Sequence, residues 1–197
     1  MRFTRKKFLL LLAAAGLTAF ASACGSAASP EKKAPSPAEP HGRAVVYFSA
    51  TGHTKGAAEK IASAAGADLY EILPAEPYTR ADLNYRDSES RSSREMNDSS
   101  ARPAMAGEID LSGYKTVFLG YPIWFGEAPR IMSTFVESHD LTGKTVIPFC
   151  TSGGSGIGAS AEILEKQAGS GRWLEGTRFG SSPSESEIRS WLGSLSL

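Results

Sequence analysis

Three short stretches of this chain carry residue types suited to holding a ligand. The first is Ser49-Ala50-Thr51-Gly52-His53-Thr54, which follows the apolar run Ala44 to Phe48 and leads into helix-like text from Lys55 to Ala62. Backbone N–H groups at a helix start have no intrahelical partner, and the helix dipole adds partial positive charge there. Ser49, Thr51 and Thr54 supply hydroxyls, and Gly52 lets the backbone turn closely around an anion. No Lys or Arg lies in the hexapeptide, so neutral donors would hold a phosphate. The second stretch, Tyr121-Pro122-Ile123-Trp124-Phe125-Gly126-Glu127, sets aromatics just past a buried-looking strand. They either cover a planar ring system or pack onto segment 74–113; for Trp124 the ring is favoured. The third, Thr151-Ser152-Gly153-Gly154-Ser155-Gly156, exposes backbone N–H groups and hydroxyls to the polar edge of such a ring. A phosphorylated cofactor held for its chemistry fits these features better than a nucleotide being hydrolysed.

The elements that must position these stretches alternate. Strands are predicted at about 43–48, 67–73, 116–120, 145–150 and 173–179, with helices at about 54–65, 128–138, 158–168 and 184–195. Pro129 falls near a first helical turn, and Ser184 with Glu187 has capping-box spacing. Segment 74–113 is polar and reads as a solvated loop, with room for one short helix; its Tyr78, Tyr85 and Arg94 are the residues that would cover a ring if any do. Alternating β and α units imply a parallel sheet with helices on both faces, and in such sheets ligands bind beyond the carboxyl ends of the strands. All three stretches sit at such ends.

Other readings of these residues fail on spacing. Gly154-Ser155-Gly156-Ile157-Gly158-Ala159 fits a dinucleotide fingerprint but follows the fourth strand, not the first. A nucleophile elbow needs glycine where Ile157 stands, and a C-x5-R phosphatase loop needs arginine where Gly156 stands. Cys150 then reads as a small buried hydrophobe. No metal site is implied, because His41 and His139 stand apart from any ligand cluster. No residue stands out as a catalytic acid or base.

In that order, Gly120-Tyr121-Pro122-Ile123-Trp124-Phe125-Gly126 and Phe149-Cys150-Thr151-Ser152-Gly153-Gly154-Ser155-Gly156, after the phosphate-type loop, resemble the flavodoxin family over about 43–195. The likeness is to a short-chain, flavodoxin-like bacterial lipoprotein subgroup. It implies a three-layer α/β sandwich with a five-stranded parallel sheet of order 2-1-3-4-5 and helices on both faces. It also implies non-covalent FMN. Ser49, Thr51, Gly52, His53 and Thr54 would hold the phosphate, with His53 standing where the family usually has Asn. Pro122, Ile123, Trp124, Phe125 and Gly126 would contact the ring, as would Thr151, Ser152, Gly153 and Gly154. Gly126 would permit a peptide flip beside the ring, and the Glu127 charge would lower its potential. Electron transfer to redox partner proteins follows, or reduction of small quinone-like acceptors by an FMN-dependent NAD(P)H oxidoreductase. A domain that has lost FMN is the non-redox alternative.

Residues 1–24 read as an export segment: a basic start with Arg2, Arg5, Lys6 and Lys7, an apolar run from Phe8 to about Phe20, then Ala21-Ser22-Ala23-Cys24. That end resembles a lipobox, which makes Cys24 the lipidated residue and a lipid anchor the membrane contact; cleavage after Ala23 as an ordinary signal peptide is the alternative. Thr4-Arg5-Lys6-Lys7-Phe8-Leu9 resembles a twin-arginine signal with Lys6 in place of the second arginine, against a plain Sec start. Residues 25–42, rich in Ala, Ser, Pro, Lys and Glu, read as a disordered tether, and 43–197 as the folded domain. The expected location is the outer face of the bacterial cytoplasmic membrane or the periplasm. The chain has 21 basic and 21 acidic residues; without residues 1–23 it has 17 and 21. A mildly acidic body argues against nucleic acid as a partner.

Overall fold

Alternation along the strands decides which side chains build each face of the sheet. The computed structural model describes residues 42–195; Cys24, the export segment and the tether up to residue 41 lie outside the described residues. β1 (Arg43–Tyr47) pairs in parallel with β2 (Asp68–Glu71) on one side and β3 (Thr116–Pro122) on the other. β4 (Thr145–Thr151) pairs with β3, and β5 (Arg172–Trp173) and β6 (Thr177–Phe179) share the far edge of β4. The order β2-β1-β3-β4-β5 is the one the family resemblance implied.

Ala44, Val46 and Phe48 join Val117, Leu119, Tyr121, Val146 and Cys150 in one core. Helix α3 (Arg130–Ser138) covers it with Ile131, Met132, Phe135 and Val136, and α4 (Ser160–Ala168) with Leu164. The alternate residues Val45, Tyr47, Phe118, Ile147 and Phe149 face the other way, toward Ala57, Ala58 and Ile61 of α1 (His53–Ala65) and Ile188 of α5 (Glu185–Ser194). Each large aliphatic or aromatic chain so buried stabilises the fold by roughly 1.5–3 kcal/mol. In α5, the Ser184 Oγ accepts the Glu187 N–H at 3.2 Å, as the capping spacing predicted.

The fifth strand differs from the single run predicted over 173–179. Thr145 donates its N–H toward β3, to the Lys115 carbonyl, whereas the Lys144 and Val146 carbonyls accept from Arg172 and Leu174 on the opposite edge. By alternation residue 148 faces that same edge, and it is proline, with no N–H to give. Pairing lapses there. Val146↔Trp173 resumes at Phe149↔Thr177, so the outer strand carries one extra residue, a bulge. Gly176 sits in it because a Cβ there would come within 2.5 Å of the Ile157 Cδ1 and 3.1 Å of the Pro148 Cβ.

Segment 74–113 also departs from the solvated-loop reading. It holds helix α2 (Arg91–Asn97), capped by Ser90, whose hydroxyl accepts the Ser93 N–H. Ser90, Ser92, Ser93 and Met96 are buried. The Arg130 Nη2 donates to the Met96 carbonyl at 2.8 Å, fastening the segment to α3. Among the described residues, no helix is long and apolar enough to cross a membrane.

Candidate functional site

The chain leaves β1, runs outward to β2, and returns across β1 to β3, so the loops after β1 and β3 part at the switch in strand order. Thr151, the last residue of β4, ties the three predicted loops together. Its hydroxyl pairs with that of Thr54 at 2.8 Å, and its carbonyl accepts the Ile123 N–H at 3.1 Å. Thr54 and Thr151 are both buried. One hydroxyl proton is used between them, which leaves the other free to donate.

Gly52 heads α1 with φ 88°. That left-handed conformation is one a β-substituted residue enters only with strain. The Ser49 hydroxyl accepts the Gly52 N–H at 3.1 Å, while the N–H groups of His53, Thr54 and Lys55 open the helix without an intrahelical acceptor. No acid occupies this first turn. Thr51, Gly52 and His53 are exposed, and the His53 Nδ1 lies 3.1 Å from the Ser181 carbonyl.

The aromatic loop is a tight turn. Trp124 and Glu127 exchange both N–H···O bonds at 2.9 Å, and Phe125 and Gly126 between them have φ 50° and 88°. Positive φ at both central positions is the type I′ pattern, which favours Asn-Gly and strains a bulky residue by about 1–3 kcal/mol. Phe125 is nonetheless 56% exposed. Trp124 packs edge-on against Phe48, just past β1, at 5.6 Å and against Tyr78 of the 74–113 segment at 5.2 Å. It also lines the cavity described next. Pro122 closes β3 at half exposure; Tyr121, which the sequence placed in the loop, is wholly buried within β3, its hydroxyl 3.0 Å from the Ser160 Oγ.

A cavity of about 350 Å³ opens beside this turn, walled by Thr51, Leu83, Tyr85, Ile123, Trp124 and Phe125, with Ser92 behind them. Leu83, Tyr85 and Ser92 come from the segment read as solvated. Tyr85, 68% exposed, was the one flagged residue there that reaches the cavity. Tyr78 instead supports Trp124 from beneath. Its hydroxyl donates to Glu95 at 2.5 Å under the Arg91 guanidinium, and burial, then that carboxylate, hold its phenol well above the usual range. Arg94 is spent on the Glu89 carbonyl.

In the third loop Ser152, half-exposed, accepts the Gly154 N–H at 3.2 Å, and Gly153 and Gly154 are exposed, with open space where a Cβ would stand. A Cβ on Gly158 would lie 3.7 Å from the Gly126 carbonyl, so this loop and the aromatic turn face each other closely. Glu127 is not the free charge the sequence suggested. The Arg130 Nη1 holds it at 2.9 Å, and Arg130 itself is buried. The Glu127-x-x-Arg130 spacing was the available signal for that pair. Cys150 is buried, and burial pushes its thiol up to about 12.

A neutral-donor phosphate cradle, an apolar cavity under exposed aromatics, and an open N–H-rich loop thus meet at one edge of a 2-1-3-4-5 sheet. The family model described as flavodoxin matches residues 43–195, and the chain belongs to that family. Among solved structures, a candidate flavoprotein from Bacteroides eggerthii DSM 20697 is 51% identical, covering 79% of this chain and 98% of its own, with a TM-score of 0.74. Another from Bacteroides uniformis ATCC 8492 is 44% identical over 77% of this chain and 97% of its own, also at 0.74. A flavoprotein from Lactobacillus acidophilus NCFM, solved in complex with FMN, is 24% identical over 76% and 97%, with a TM-score of 0.60; it shares the fold. No protein of curated function matches the chain.

Proposed function

We propose that the domain binds FMN without a covalent bond and serves as an exported electron carrier. The observation that supports this best is the Thr54–Thr151–Ile123 tie, which brings the phosphate, aromatic and Gly/Ser loops to one edge. Ser49, Thr51, Gly52, His53 and Thr54 would receive the phosphate. Ile123, Trp124, Phe125 and Gly126, with Pro122 at the strand end, would flank the ring; Ser152, Gly153 and Gly154, backed by Thr151, would meet its polar edge. When bound, FMN supplies one- and two-electron redox chemistry. The chain's own residues bind it, orient it and shield one side of it from water. The test is direct: the purified full chain should take up FMN one to one and quench its fluorescence. A chain that stays colourless with excess FMN has lost the function or never had it.

Tyr85, Leu83 and Phe125 give the cavity an apolar mouth, which favours docking of redox proteins or small quinone-like acceptors there. An FMN-dependent oxidoreductase is the second reading, favoured by that same mouth. NAD(P)H consumption that depends on an added quinone separates it from a carrier.

Export rests on residues 1–24, and anchoring on Cys24. Lipidated Cys24 with tether 25–42 would stand the domain off the outer face of the cytoplasmic membrane. Cys24→Ala should abolish incorporation of labelled fatty acid and release the protein from membranes; label retained in that variant refutes the anchor.

A further inference from the structure

We propose, resting on the FMN reading of the same site, that Arg178 sets the site's reduction potential by holding an unpaired positive charge against the loop that meets the ring's polar edge. Arg178 pairs across the sheet with Cys150, two residues before that loop's Ser152. Its Nη2 donates to the Ser152 carbonyl at 2.7 Å. Among the described residues it enters no ion pair.

No acid among the described residues forms an ion pair with it, the exposed Glu175 three residues earlier included. Glu127, beside the aromatic turn, is held by buried Arg130. Glu71, at the end of β2, accepts from the Tyr47 hydroxyl at 3.0 Å and sits 3.6 Å from the Lys55 Nζ. Stretches 49–54, 151–158 and 180–184 contain no Asp or Glu. The backbone N–H groups of the Gly/Ser loop offer hydrogen bonds but no net charge. A guanidinium stays protonated throughout the working pH range, and its bond to a main-chain carbonyl fixes where that charge lies.

Reduction of bound FMN by an electron pair with uptake of one proton leaves a negative charge on the ring. A nearby cation favours that charged state over the neutral oxidised one. Arg178 therefore biases the site toward holding an electron pair, which suits acceptors that take two electrons. Its exposure to solvent screens the effect and keeps it moderate.

The FMN-loaded full chain is titrated anaerobically with dithionite against a reference dye. Arg178→Gln should lower the equilibrium constant for two-electron reduction about tenfold, or about 30 mV for an electron pair. Arg178→Lys, which keeps the charge, should restore at least half of that shift. Both variants should bind oxidised FMN within about threefold of the parent. An unchanged potential in Arg178→Gln overturns the proposal. Equal losses in the Gln and Lys variants also overturn it, because the effect would then follow the bond to Ser152 and not the charge. If Arg178→Gln does not fold, Arg178→Met decides by the same titration: a loss of about tenfold in the equilibrium constant supports the charge, and an unchanged constant counts against Arg178. A parent that takes up no FMN defeats the cofactor reading itself, whereas uptake with an unmoved potential defeats only the role of Arg178.

Discussion

The two ends of the sheet hold two very different cavities. At the amino ends of β3 and β4 lies the larger, about 930 Å³, lined by residues including Glu108, Asp110, Ser138, His139, Asp140 and Lys144. At the carboxyl ends lies the smaller, about 350 Å³, with its aromatic wall. The larger is a structural seam. The Lys144 Nζ donates to the Leu111 and Tyr114 carbonyls at 2.7 and 2.9 Å, and His139 lies against Phe135 with its Nδ1 2.7 Å from the Phe135 carbonyl. Lys144 joins the segment before β3 to β4, while Asp110, Asp140 and His139 bond within their own turns. The smaller has Thr51, at the approach to α1, on one wall and a strained, exposed Phe125 on another. The difference teaches that the chemistry of a lining, not its volume, marks a binding site.

The contrast is sharpest under charge. Thr51→Glu sets a carboxylate in the phosphate cradle and should weaken FMN binding at least ~100-fold, about 3 kcal/mol, with thermal stability nearly unchanged. Fluorescence titration measures it, and an affinity within about threefold of the parent would remove Thr51 from the cradle. Lys144→Met should do the opposite at the other end. It leaves two carbonyls without their donor and should cost about 1–3 kcal/mol in denaturant unfolding while FMN affinity stays within about twofold. Loss of FMN affinity in the folded Lys144 variant would break the division between the ends.

The tie between loops can be cut separately. Thr54→Val or Thr151→Val alone strands a buried hydroxyl and should cost about 1–2 kcal/mol. The double variant should cost clearly less than the sum of the two, since neither hydroxyl then lacks its partner. Strict additivity would show that the 2.8 Å pair carries no coupling.

Phe125→Asn restores the residue that a type I′ turn prefers before glycine. It should raise stability by about 1 kcal/mol and weaken FMN binding about tenfold. A variant that gains stability at full affinity would show that Phe125 does not serve the ring.

The smallest effect concerns His53. A carbonyl can only accept, so the bond to Ser181 places a proton on Nδ1. His53→Ala should weaken FMN binding only about two- to threefold. Fluorescence titration checks it, and an unchanged affinity removes His53 from the phosphate site.

Much of this architecture was legible beforehand, and what was missed has physical causes. The continuous apolar runs Val117–Leu119 and Val146–Ile147 marked strands buried on both faces, and the glycines and hydroxyl residues after them marked loops at strand ends. The split of the fifth strand was harder to see. It depends on which edge of β4 Pro148 faces, a matter of register between strands distant in sequence. Segment 74–113 was unreadable because its order comes from partners elsewhere: Arg130 on α3, and Trp124 beyond β3.

The sequence by itself determined the order of elements, the placing of three donor-rich loops at strand ends, and the kind of ligand such loops suit. Those follow from local periodicity and from the few residue types that tolerate a turn or present a bare N–H. Tertiary structure alone decided which charges remain free. The spacing of Glu127 and Arg130 hinted at one pair, but only the fold buries Arg130 against Glu127 and leaves Arg178 without an ionic partner among the described residues. Sequence spacing does not record distances across helices and strands, and the Coulomb interaction that tunes a redox site depends on them directly.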